Sequence, residues 1–361
     1  MDRRKFFSRS VAAGVTMGST AIGGAPMLQR SLPAQPPPAK HSDLPSRFTP
    51  SAYSFPRSEW TPFATSDYYM YADDLVIEHN RPGKPHQGKV LAAVQAHSDD
   101  VTIGCGGTVA KLIEEGYTGY LIRVSNDEAS GSTLGHGVAQ NEIDNQEAAK
   151  ALGCKKAFSF YYRNHRMDDD SIIEIRARLI FMFRLLRVNT VLAMDPYDHY
   201  DENPDHLVVG SAVERACWMS GGSKDYPEHF KAGLKPANVQ EKYYFPRSPQ
   251  GHNLTNRIVD IGSYIDTKVR ANMANKGKGP AGTYGARLRR ELARDGKKLP
   301  MLGDDDETAN FVYVKHFLMD GWQRLGQQFG LGYAEAFRYI GPEVRFGDNI
   351  RKYAYAHAVS L

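Results

Sequence analysis

Apolar and polar positions along the chain alternate between two kinds of segment from Lys89 onward. Val90 to Ala96 is an apolar run in which Gln95 is the one polar member, and it is followed by the helix-spaced stretch Val109-Ala110-Lys111-Leu112-Ile113-Glu114-Glu115. Tyr120–Val124 reads as a second strand, Val138–Leu152 as a helix stopped at Gly153, and Ala157–Tyr161 as a third strand. Ile172–Leu186 has the spacing of a long amphipathic helix, and Thr190–Met194 reads as a fourth strand that breaks at Asp195-Pro196. Short continuous apolar runs are strands buried on both faces, and their alternation with helices predicts an α/β fold. The expected architecture is a Rossmann-like, mostly parallel sheet with helices on both faces.

Composition changes this picture little. The chain has 361 residues, 41% hydrophobic and 24% charged, enough for a substantial core. A net charge of +4 without a block of Lys or Arg gives no footprint for nucleic acid. Three widely spaced cysteines, Cys105, Cys154 and Cys217, offer neither a disulfide framework nor a paired-cysteine metal site, and buried thiols are expected.

The chain before residue 87 is organised differently. Arg3-Arg4 precedes a mildly apolar Gly- and Ala-rich run, Val11 to Ala25, too short and weakly apolar to span a bilayer. Residues 1–30 resemble a twin-arginine export signal, which implies a periplasmic or secreted protein with no stable membrane insertion after export. Residues 31–86 read as a Pro-rich linker and an aromatic arm, 87–345 as the main domain and 346–361 as a C-terminal tail.

The chemistry sits where strands end. His97, Asp99 and Asp100 follow the first strand, ahead of the turn Gly104-Cys105-Gly106-Gly107. The loop after the fourth strand, Asp195–His206, carries two His and four Asp. Open α/β sheets build sites at the carboxyl ends of their strands, so these two loops can converge on one crevice. His and Asp are the residue types that hold a divalent metal and activate its water. A solvated acidic connector is the bland reading of the second loop, and spacing does not say which of the two adjacent aspartates would face a metal.

The motifs carry a resemblance. Ala96-His97-Ser98-Asp99-Asp100 resembles the AHPDD motif of the LmbE/PIG-L family of zinc-dependent N-deacetylases, and Asn203-Pro204-Asp205-His206 resembles its HPDH motif. Asp195-Pro196, Val259-Asp260-Ile261 with Lys268, and Gly332 to Phe337 agree in order, so the likeness runs from about Lys89 to Ile340, with insertions near 220–239 and 276–310. The resemblance implies an LmbE-like fold that removes an acyl group, usually acetyl, from an amino sugar or glycoconjugate. It implies His97, Asp100 and His206 as ligands of zinc, with iron(II) the alternative metal, and Asp99 as general base. Asp205 then orients a ligand rather than binding metal.

Two departures stand out. Ser98 replaces the family's Pro, and Asn203 replaces the first His of HPDH. An Asn amide donates a hydrogen bond but is no acid near neutral pH, so Asn203 is expected to act only as an oxyanion donor, with His199 or Tyr200 as stand-ins for proton transfer. Asn126, Asp127, Glu128, Arg163 and Tyr200 are the expected substrate contacts, with His165 a further pocket candidate. Glu335 is expected to be structural, and the basic insert at Lys276 and Lys278 to be a solvated surface. Two other readings compete: a non-catalytic carbohydrate-binding relative marked by Asn203, and a magnesium-binding receiver-like domain, which gives no reason for His97 or His206. The particular substrate and the oligomeric state are not legible.

Overall fold

The computed structural model describes residues 75–129, 134–198, 201–247, 255–278, 282–341 and 346–360. The export-signal reading and most of the linker and arm therefore lie outside the described residues. Eight strands form one sheet: β1 Val76–Glu78, β2 Val90–Gln95, β3 Thr118–Ser125, β4 Lys156–Tyr162, β5 Thr190–Met194, β6 Glu241–Phe245, β7 Arg257–Asp260 and β8 Ala334–Ile340. Their order is β1-β7-β8-β6-β5-β2-β3-β4. Every pairing is parallel except those of β8, which runs antiparallel between β6 and β7. The helices are α1 Asp100–Gly104, α2 Gly106–Glu114, α3 Leu134–Ala151, α4 Ile172–Leu186, α5 Pro204–Ser220, α6 Pro227–Lys231, α7 Ile265–Ala274, α8 Tyr284–Arg294, α9 Asp306–Tyr313, α10 Asp320–Gln328 and α11 Phe346–His357.

The apolar runs of the central strands split between two cores. Leu91, Ala93, Leu192 and Met194 join one cluster, while Ala92, Val94, Ala96, Val191 and Ala193 join the other. Successive side chains point to opposite faces of a strand, so this division places helices on both sides of the sheet, as the uninterrupted runs predict. Tight approaches fix the helices at the site end. A Cβ on Gly104 would stand 2.4 Å from the Phe245 ring, and one on Gly210 would stand 3.0 Å from the Met194 carbonyl oxygen. Glycine at these two places lets α1 and α5 close onto the ends of β6 and β5.

The sequence reading placed four strands and left four unassigned. β1 lies in the segment read as an arm, so the sheet begins before residue 87, and 346–357 in the expected tail is helical. No described helix is long and apolar enough to cross a membrane.

Candidate metal centre

β2 pairs with β3 on one side and with β5 on the other, and the crossovers leave in opposite directions. That is the topological switch point of the sheet, where a crevice opens beyond the strand ends. The loop from β2 into α1 brings His97, Asp99 and Asp100 there, and the loop from β5 into α5 brings Asn203 and His206.

Three side chains converge. His97 Nδ1 lies 3.1 Å from His206 Nε2 and 3.6 Å from Asp100 Oδ2, and His206 Nε2 lies 3.2 Å from Asp100 Oδ1. The donor atoms of His97, Asp100 and His206 all lie within 4.8 Å of one another. Donors about 2.0–2.2 Å from a tetrahedral ion stand roughly 3.3–3.6 Å apart, so this spacing fits a small divalent cation without rearrangement. The other nitrogen of each imidazole is held by its own carboxylate: His97 Nε2 donates to Asp205 at 3.0 Å and His206 Nδ1 to Asp201 at 2.7 Å. Such backing sets the tautomer and aims the remaining lone pair inward. Asp205 is itself fixed by the backbone N–H groups of His165 and Met167, and His97 N–H donates to Asp100 at 2.7 Å.

Electrostatics agree. Burial alone would lower the imidazole pKa values, but the Asp100 carboxylate, helped by Asp205 and Asp201, raises His97 to about 9 and His206 to about 10. Burial would raise Asp100, but both histidines hold it well below the usual carboxylate range. Protons and a metal ion would compete for the same imidazole nitrogens, so an ion bound there would release protons.

The cluster opens into a cavity of about 300 Å³. Ile103, Met194 and Phe245 give it an apolar wall, and Asp99, Asn203, His165, Arg247 and Lys278 add polar groups. Asn203 caps α5, its Oδ1 accepting the Asp205 N–H at 3.0 Å ahead of Pro204. Its Nδ2 is then the atom that can donate into the cavity. Of the expected substrate contacts, Asn126, Glu128 and Arg163 bind one another and do not line the cavity. Asp127 is fully buried, its carboxylate accepting Ser98 N–H at 2.8 Å and facing Lys278 at 2.9 Å, so it supports the site from beneath. Tyr200 and His199 lie outside the described residues.

The sequence reading missed Asp201, Arg247 and Lys278 as site residues. Asp201 carries a weak signal, an acidic residue five before His206 in the same loop. Arg247 and Lys278 carry none, because folding alone brings the end of β6 and the loop after α7 to the β2 loop. Instead of a solvated surface, Lys278 is nearly buried between Asp99 and Asp127.

Fold and donor set together define an open α/β protein with a three-donor, metal-capable centre at its switch point. Comparison with known proteins gives this class its relatives. The family model described as PIG-L, GlcNAc-PI de-N-acetylase, matches residues 92–217, a span that includes all three converging side chains. Diacetylchitobiose deacetylase of Thermococcus kodakarensis is 27% identical over 197 residues, 53% of this chain and 71% of the relative. The uncharacterized deacetylase YaiS of Escherichia coli is 26% identical over 151 residues, 40% and 76% of the two chains. Among solved structures, N,N'-diacetylchitobiose deacetylase from Pyrococcus horikoshii superposes with a TM-score of 0.55 at 22% identity, covering 70% of this chain and 84% of the other. GalB, the 4-carboxy-2-hydroxymuconate hydratase from Pseudomonas putida, superposes at 0.52 and 20% identity over 71% and 98%. A hydratase beside a deacetylase means that these superpositions speak for the fold, and the reaction must be argued from the site.

Proposed function

We propose that this chain is a zinc-dependent deacetylase of the PIG-L/LmbE kind, hydrolysing the acyl amide of an N-acetylated amino sugar or glycoconjugate. The observation that carries this reading is the His97–Asp100–His206 cluster with a dedicated carboxylate behind each imidazole. The deacetylase names of the relatives in both sequence comparisons support the reaction class. Two imidazoles and a carboxylate suit zinc, and equally the facial triad of iron(II).

His97, Asp100 and His206 would hold the metal, which would supply Lewis acidity for the hydrolysis when bound. Asp99, on the cavity wall beside them, takes the proton of the water as its oxygen attacks the carbonyl carbon. Asn203 Nδ2 donates toward the oxygen that gains charge. The C–N bond then breaks, Asp99 returns its proton to the leaving nitrogen, and acetate and a free amine result. The apolar wall of Ile103, Met194 and Phe245 offers a surface for the acyl methyl group. The Arg3-Arg4 segment supports a periplasmic or secreted location and hence an envelope or extracellular substrate.

The test is acetate and amine release from N-acetylglucosamine, diacetylchitobiose and peptidoglycan fragments by protein of known metal content. Release that stops with a chelator and returns with zinc supports the reading. Zinc at one per chain with sugar binding but no release would instead favour the non-catalytic relative.

A further inference from the structure

Among the described residues, Lys278 is the one cation of the cavity wall whose ammonium lies between two carboxylates. Its Nζ stands 3.2 Å from Asp99 Oδ1 and 2.9 Å from Asp127 Oδ1, with its side chain 13% exposed. The segment carrying it is pinned from two sides. Asn275 Nδ2 donates to Thr102 Oγ1 on α1 at 3.0 Å, and Gly277 N–H donates to Asp144 on α3 at 2.7 Å. A Cβ on Gly277 would stand 2.6 Å from Asn141 Oδ1, so the loop lies directly against α3. Asp127, on the far side of the ammonium, holds Ser98 N–H between His97 and Asp99 and adopts a left-handed φ of 54°. Its own carbonyl is held by Asn141 Nδ2 at 2.9 Å.

Burial explains one half of this bridge. Asp127 is wholly enclosed, and a buried carboxylate needs countercharge, which Lys278 supplies together with the buried Arg123, whose Nη1 lies 3.6 Å from Asp127 Oδ2. It does not explain the other half, because the Asp99 side chain is 23% exposed and water could solvate it. What the second contact does is remove freedom: with Oδ1 tied to Lys278, Asp99 has one oxygen left and one orientation in which to offer it.

We propose that Lys278 is a positioning residue of the hydrolytic site, locking Asp99 against the buried Asp127 so that a single carboxylate oxygen is presented to the attacking water. The proposal rests on the deacetylase reading for its kinetics and on the bridge geometry for its structural part. Displacing a reacting group by about 1 Å costs on the order of 100-fold. Zinc-loaded Lys278→Met is therefore expected to lose kcat by about that factor on diacetylchitobiose, with KM and zinc content within about threefold of the parent. Lys278→Arg, which keeps the charge and can reach both carboxylates, is expected to recover most of kcat.

Asp127→Asn combined with Lys278→Met separates positioning from charge balance. Removing both charges is expected to recover part of the thermal stability lost in the single variant, with Arg123 still paired to Glu142, and kcat stays low. Recovery of kcat in the double variant, or a kcat loss in Lys278→Met that merely follows zinc loss, overturns the proposal. Crystal structures of the parent and Lys278→Met decide the case apart from activity. Asp99 is expected to leave its parental rotamer, and an unchanged Asp99 overturns the positioning role. Parent protein that releases acetate from nothing would sink the deacetylase reading, while the Asp99 rotamer still tests the bridge.

Discussion

Two polar clusters, one lining a cavity and one wholly interior, lie on opposite terms with their surroundings. In the first, His97, Asp100 and His206 bring three ligand atoms to a common point, and the carboxylates of Asp201 and Asp205 hold the imidazoles from behind. In the second, Lys268 and Glu335 pair with no exposure at all. Glu335 also accepts the N–H groups of Gly107 and Thr108 at 3.0 and 2.8 Å, and Lys268 lies 4.4 Å over the Trp322 ring. That pair answers its own charges and the open N-terminus of α2, so nothing is left over. The first cluster leaves its donors aimed at one another and at a cavity. Buried charge is common to both, and the difference between a scaffold and a site is whether the last lone pairs are spent.

The largest expected effect tests the spent-versus-open distinction directly. His97→Ala and His206→Ala are expected to lose stoichiometric zinc and to drop acetate release by on the order of a thousandfold or more, the scale on which removing a central group acts. Asp205→Asn and Asp201→Asn, which reach the centre through the backs of the imidazoles, are expected to weaken zinc affinity about 10–100-fold. Equilibrium dialysis and acetate assay read both. Ligand variants that keep full zinc and full turnover would mean that the converging atoms are only a hydrogen-bonded core.

Glu335→Gln is the counterpart on the other side. Breaking one partner of a buried pair costs about 3–5 kcal/mol, because Lys268 is left buried and alone. Burial already lowers the Lys268 pKa, and Glu335 opposes that shift. A large fall in unfolding free energy, with zinc content and kcat of the folded fraction near the parent's, is expected in denaturation and assay. A kcat loss without a stability loss would move Glu335 into the site and erase the contrast.

Proton linkage gives the next effect, with opposite signs for the two states of the centre. In chelated protein the folded pKa values of about 9 and about 10 exceed the ordinary 6.5, so the folded chain holds more protons than the unfolded one. The stabilisation is complete below about pH 6.5 and is lost as pH rises through 9 to 10. Zinc must displace protons from the imidazoles, so its affinity should rise over the same range, with protons released on binding near pH 7. Thermal melts at several pH values and calorimetry in two buffers measure the pair of trends. Parallel pH trends with and without zinc would show that the ion does not take the imidazoles.

The open cluster was more legible in the sequence than what supports it. His97, Asp100 and His206 fall at the ends of two apolar runs whose buried, both-faces character is written in their composition, and the two loops could meet if the two strands were neighbours, as they are. The strands β6 and β8 were not legible, since Glu241–Phe245 is short and lacks a flanking helix pattern, and β8 joins from the far end of the chain against the parallel rule. Lys278 was hidden for a related reason. A lone Lys in a Gly-rich insert reads as solvent-facing, and its burial depends on Asn275 and Gly277 docking on α1 and α3. Asp127 was legible as a strand-end residue but not as a support, because its direction follows from a left-handed φ rather than from spacing.

Asn203 carries the smallest expected effect and sits on the border between the two kinds of cluster. One of its atoms is spent, Oδ1 on the Asp205 N–H at the start of α5, and Nδ2 remains as a donor on a residue that lines the cavity. Asn203→Ala is expected to cost about 1 kcal/mol through the lost cap. Asn203→Asp keeps the cap, so its stability should stay near the parent's, yet it replaces the Nδ2 donor by an acceptor. The two variants thus divide the residue: equal kcat losses in both would place its contribution in the donor, whereas a loss in Asn203→Ala alone would place it in the cap that seats Asp205 behind His97. Because Oδ1 is held by the cap and Nδ2 is the remaining donor, the expected result is the first, with Asn203→His also below the parent, since it lacks the Oδ1 that accepts the Asp205 N–H.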